Sequence, residues 1–207
     1  MIRHFKRIDG KHIQTVSGQN RYAFNLSDTT DFLTLQKMAR QKELPGSTIR
    51  FFDFKSGDVY EPFARKANVF YSEPTYLSEI FYFLQVDYNE QKVSLCRYTP
   101  GSFLEKETEL CIGNINLSNL KIIGSSVNIV SQGKVFECFY PLRFSFPDDG
   151  LHHAILIDGG MVHFQDSIDD NSGGVLYRVV SKDFNGYTRS IEVGFLRQAA
   201  DGTWWIA

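Results

Sequence analysis

Five times along the chain an apolar-rich run meets a short polar break, usually with a glycine, and a second apolar-rich run follows. The runs are Ile49–Phe54 with Val59-Tyr60, Phe81–Tyr88 with Val93–Leu95, Val127–Val130 with Val135-Phe136, Ala154–Ile157 with Met161–Phe164, and Ile191–Leu196 with Trp204–Ile206. Breaks of this length close hairpins, and Asp-Gly and Gly-Gly supply the positive φ that tight hairpin turns need. The flanks are rich in Val, Ile, Phe, Tyr and Trp, which suit a pleated, half-buried surface. The breaks centre near residues 57, 90, 132, 159 and 202, too unevenly spaced for a solenoid. Antiparallel hairpins arranged as a small propeller-like array or as a two-sheet β-sandwich fit this spacing, with Gly101–Lys121 as a long connection.

One segment departs from the β pattern. Phe32, Leu35 and Ala39 fall on one helical face, Ser27-Asp28 can cap it, Asp31 sits in its first turn, and Pro45-Gly46 stops it. Lys37, Arg40 and Lys42 complement the negative end of the helix dipole. The reading is therefore a mainly β protein with one N-terminal helix over 29–43, folded as a single globular domain over 1–207. Strand Ile80–Tyr88 is apolar on both faces at its start, as in an interior strand. Glu105, Glu107 and Glu109 share one face of an extended segment and should meet water. The stretch Asp166–Gly174 reads as a surface loop.

With 22 Lys and Arg against 24 Asp and Glu, the formal charge of −2 lacks the bulk electropositive field of a nucleic-acid binder. The longest strongly apolar stretch, Ile80–Leu84, is far short of the ~20 residues a helical membrane span needs. Cys96, Cys111 and Cys138 match no zinc-knuckle spacing and read as reduced thiols. With no leader-like apolar run near Met1, they favour a cytoplasmic protein. Nucleic-acid and membrane partners are not expected, nor is a cofactor: phosphate-loop, dinucleotide, nucleophile-elbow and zincin patterns are all missing from the sequence.

The richest polar cluster is Leu151–Ser167. If Gly159-Gly160 is a two-residue turn, counting outward sets Leu156 opposite His163 and His153 opposite Asp166. Directly opposed Cβ atoms lie about 4.5–5.5 Å apart, so a carboxylate could orient the imidazole as in a general base or a metal ligand. His152 and His163 fall on the other face about 13 Å apart, too far to share an ion. A calcium loop begun at Asp169 would need Glu at its twelfth position, where Val180 stands. No metal site is expected.

Trp204 and Trp205 point to opposite faces of any strand, so one can be buried while the other is presented to a ligand. The leading expectation is a non-catalytic binding module that engages a protein or carbohydrate through aromatic surface or hairpin loops. The first alternative is a hydrolase with its site around His152, His153 and Asp166. The second is a self-associating structural subunit covered by its own copy along an unpaired sheet edge.

Overall fold

A computed structural model describes residues 2–150, 152–169 and 173–207. The protein is mainly β, with one α-helix and strands that pair antiparallel, and it divides into two compact units, Met1–Leu117 and Ser118–Ala207.

The first unit holds β1 (Gln14–Thr15), β2 (Tyr22–Leu26), α1 (Phe32–Ala39), β3 (Ile49–Asp53), β4 (Val59–Tyr60), β5 (Val69–Tyr71), β6 (Thr75–Leu77), β7 (Ile80–Asp87), β8 (Lys92–Thr99) and β9 (Phe103–Cys111). Strands β1 to β4 form one sheet in chain order. The second runs β5-β7-β8-β9, with β6 also paired to β7. Phe24, Ile49 and Phe51 from the first sheet pack against Phe81, Phe83 and Tyr98 from the second. Strand β7 is central and buried from Phe81 through Val86, as its two-sided apolar start implies.

Helix α1 is shorter than 29–43 at both ends. Asp31 is its N-cap rather than a first-turn residue, accepting the Thr34 N–H at 2.9 Å. Asp28 closes a local turn onto the Thr30 N–H, and Ser27 Oγ accepts from Thr48 N–H, so neither can cap the helix. The expected connection Gly101–Lys121 contains a full strand, β9. Its glutamates are exposed, as expected, and pair across the strands: Glu105 and Glu107 reach Arg97 on β8 (3.5 and 3.4 Å), and Glu109 reaches Lys92 (2.9 Å).

The second unit holds β10 (Lys121–Ile123), β11 (Asn128–Gln132), β12 (Val135–Tyr140), β13 (Phe144–Pro147), β14 (His153–Asp158), β15 (Met161–Asp169), β16 (Val175–Asp183), β17 (Thr188–Val193), β18 (Leu196–Gln198) and β19 (Trp204–Ile206). Sheets β10–β13 and β14–β17 each run in chain order, and β18–β19 is a separate hairpin. Phe136 and Phe146 of one sheet pack against Phe164, Val162 and Val180 of the other, with ring centroids 5.6 Å apart for Phe136–Phe164. The opposite face of the β14–β17 sheet carries Leu156 and Val179, which meet Leu196 and Trp204 of the last hairpin.

Two sequence expectations change here. Ile191–Leu196 is not one strand: it divides at Gly194 between β17 and β18. Gly194 has φ +144°, and a Cβ there would lie 2.4 Å from Ile206 Cγ2, so only glycine carries the chain from one sheet to the hairpin. Residues 166–169 are not loop but the end of β15, paired with β16, while 170–172 lie outside the described residues.

Candidate functional site

The Gly159-Gly160 turn forms as the sequence implies, both glycines at positive φ, with Asp158 opposite Met161 and Leu156 opposite His163. Beyond Leu156 the register shifts by one residue. Ala154 then pairs with Phe164 and His153 with Gln165. This bulge corrects the expected His153–Asp166 pair. Its physical reason is the run Ala154-Ile155-Leu156-Ile157: Ile155 and Leu156 both turn to the cluster with Val179 and Leu196, while Ala154 and Ile157 face the other core. A one-residue slip exchanges the faces of everything beyond it. His153 is left exposed, and His152 takes the place beside Asp166.

Asp166 is buried on the middle strand β15. Arg178, directly opposite on β16, donates to its Oδ2 through Nε at 3.0 Å and also through a terminal nitrogen. His152 Nδ1 lies 3.2 Å from Asp166 Oδ1, within ion-pair reach but off the line a hydrogen bond requires. Burial works against the Asp166 charge; the Arg178 hydrogen bonds and the neighbouring His152 outweigh it and hold the carboxyl below the usual range. On its other side, His152 Nε2 lies 3.6 Å from Asp149 Oδ2.

A second polar chain fixes the backbone of this histidine. Gln132 donates to the His152 carbonyl and, at 2.9 Å, to Asp148 Oδ2, and its Oε1 accepts from Ala154 N–H at 3.0 Å. Buried Asp148 in turn accepts from Lys182 Nζ at 3.2 Å, and that ammonium sits 5.0 Å from the Phe164 ring centroid. Gln165, opposite His153, donates to the Arg178 carbonyl and accepts from Leu196 N–H at 2.8 Å, tying the last hairpin to the sheet. His163 is elsewhere, its Nδ1 2.8 Å from Ser181 Oγ, and desolvation lowers its pKa.

Chemically, this cluster is a closed one. The two carboxylates flank opposite nitrogens of the His152 ring, so they do not converge with it on a single ion; no group of three metal-ligating side chains converges among the described residues. A general base needs its second nitrogen directed at a substrate proton, whereas here that nitrogen faces Asp149.

The other candidate residues lie on the last hairpin. Trp204 packs against Leu196 and Val179, while Trp205 is 64% exposed, with its indole N–H donating to Thr203 Oγ1 at 2.8 Å. Alternation places Phe195, Arg197 and Trp205 on the outward face of β18–β19. Tyr177 on β16 meets the Phe195 ring edge-on at 5.1 Å, and its carbonyl accepts from Gly194 N–H. Tyr177, Phe195 and Trp205 thus form one exposed strip that continues to Val175 on the same face of β16, while Val193, opposite Arg178, lies on the other face of the sheet. Sequence reasoning missed Tyr177, Phe195 and Arg178. The alternation within Val175–Asp183 was the available signal, but the Asp- and Ser-rich segment before it reads as loop.

Compared with protein-family models, with curated proteins and with solved structures, the chain matches none.

Proposed function

We propose that the chain is a non-catalytic binding module that takes a protein partner on the apolar strip over β16, β18 and β19. The observation that carries this reading is the continuity of that strip. Tyr177, Phe195 and Trp205 are exposed at 43%, 42% and 64%. At 150–250 Å² for a whole aromatic side chain, the three rings alone leave roughly 300 Å² uncovered. Val175 brings the patch to on the order of 400 Å², the scale at which an apolar patch marks an interaction site.

The composition favours a protein over a sugar. Tyr, Trp and Arg are the residue types that dominate the energetics of protein interfaces, Arg197 stands beside the rings, and aliphatic Val175 flanks them. Tyr177 stands at 88° to Phe195, which breaks up the flat platform on which a sugar ring stacks. The hydrolase alternative finds no such support, because a carboxylate stands beside each ring nitrogen of His152, at 3.2 and 3.6 Å.

A photo-crosslinking residue at position 205 tests this in extract of the source cells, with the same residue at exposed Phe103 on β9 as the control. A discrete protein adduct at 205 and none at 103 is expected. Equal labelling at both positions, or a Trp fluorescence shift produced by oligosaccharides alone, contradicts it.

A further inference from the structure

We propose that the face of the β1–β4 sheet turned away from Phe51 is a docking groove for an aromatic–basic segment, and that residues 5–9 of this chain occupy it as a displaceable ligand. The site lies wholly in the first unit and does not depend on the strip over β16, β18 and β19.

Alternation along β3 sends Ile49 and Phe51 into the core and turns Arg50 and Phe52 to the opposite face. There Asn25 pairs with Arg50, while Ala23 and Val59 flank Phe52. The segment that crosses this face, residues 3–12, is neither strand nor helix. The Phe5 ring meets Phe52 edge-on at 5.2 Å and Phe54 at 5.5 Å. Lys6 N–H donates to the Gly57 carbonyl at 2.8 Å, and its ammonium pairs with Asp58 at 2.6 Å. Arg7 pairs with Glu61 at 3.1 Å, Asp9 pairs with Arg50, and the His12 carbonyl accepts from Asn25 Nδ2 at 2.8 Å. One aromatic anchor, two cations and a carboxylate therefore each find a matching group, as in a charge-complementary interface.

Two observations make this segment a ligand rather than a part of the sheet. First, the groove is built without it. Asp53 N–H donates to the Asp58 carbonyl at 3.0 Å and Gly57 N–H to the Asp53 carbonyl at 2.8 Å, which closes the β3–β4 turn. Arg50 is held by Glu61 at 2.9 Å whether or not Asp9 is in place. A site preformed in this way pays little ordering entropy when a ligand enters. Second, the grip of the segment is light. Of residues 2–12 only Phe5 is withdrawn from solvent. The Lys6 and Arg7 side chains are 69% and 58% exposed, so their ion pairs are weak and screened by salt. A partner segment with an aromatic residue followed by two cations takes over the Phe52–Phe54 cradle and the Asp58 and Glu61 carboxylates.

Fluorescence anisotropy with a labelled peptide of residues 2–11 tests the proposal on the full chain. A chain carrying Phe5→Ser, Lys6→Glu and Arg7→Glu leaves its groove open and should bind the peptide saturably. The wild type should bind it at least tenfold more weakly, because its own segment competes at an effective concentration on the order of millimolar. Phe5→Ala in the peptide should lower its affinity for the open chain about tenfold or more. Asp58→Lys with Glu61→Lys in the open chain should do the same. Equal binding to wild type and open chain, no binding to either, or binding indifferent to Phe5 overturns the proposal.

Amide hydrogen exchange in the unaltered protein decides the matter without any variant. In roughly 0.5 M salt, which screens exposed pairs, the Lys6 amide should exchange several-fold faster while the amides of β3 keep their rates. A Lys6 amide indifferent to salt, or one that opens only together with β3, overturns the proposal as well.

Discussion

Replacing Asp53 by asparagine should cost the first unit about 1–2 kcal/mol at neutral pH, and this cost should vanish in acid. Asp53 ends β3 with its carboxylate fully buried. Arg21 grips it from Nε at 3.1 Å and from a terminal nitrogen at 2.6 Å, and Lys55 N–H donates at 2.8 Å. The Arg21 hydrogen bonds are the main cause that lowers its pKa from 3.8 to about 2. At about 1.4 kcal/mol per pKa unit, that shift is worth roughly 2 kcal/mol. The Arg21 side chain is half in solvent, which trims the figure towards 1 kcal/mol. Because the folded pKa is depressed, the stabilisation is complete above the unfolded value of 3.8 and is lost as pH falls through about 2. Both tryptophans lie in the second unit, so urea unfolding of the first should be followed by tyrosine near-ultraviolet circular dichroism. The difference between wild type and Asp53→Asn should shrink steadily between about pH 5 and pH 2. A difference that stays constant, or grows in acid, refutes the reasoning.

Three further outcomes follow from the second unit. In an NMR spectrum at fixed pH, Asp166→Asn should shift the ring resonances of His152, whose Nδ1 lies 3.2 Å from that carboxylate, and leave those of exposed His153 unchanged; the reverse would show that the bulge at Ile155 is absent. Phe136→Ala empties a fully buried site between Phe146 and Phe164 and should cost about 3–5 kcal/mol, read from the tryptophan signal in urea. Gly194→Ala drives a methyl group into Ile206 and should loosen the last hairpin, at about 1–3 kcal/mol with a red shift of Trp204 emission, whereas Gly159→Ala, in open space, should cost about 1 kcal/mol.

The strands were legible where an apolar run and a Gly-containing break coincided, as at β11–β12 and β14–β15. The helix was legible in type but not in extent, since Asp28 and Asp31 are equally good caps by composition and only the competing turn at Thr30 separates them. The Gly159-Gly160 turn was readable because a two-residue loop fixes pairing by counting. The pairing farther out was not, because a bulge is a packing event: Ile155 and Leu156 share one face only where Val179 and Leu196 wait for both. That single residue is why His152, and not His153, meets Asp166. The exposed strip was half legible: the alternation of Trp204 and Trp205 is local, but their neighbours Tyr177 and Phe195 reach them only through the division of the chain at Gly194.

Whether the strip of Tyr177, Phe195 and Trp205 is a contact surface is tested most directly by photo-crosslinking from position 205 in cell extract. The expected result is a discrete protein adduct that is lost when Tyr177 and Phe195 are both replaced by serine. An adduct indifferent to those replacements, or equal labelling from Phe103, would contradict it.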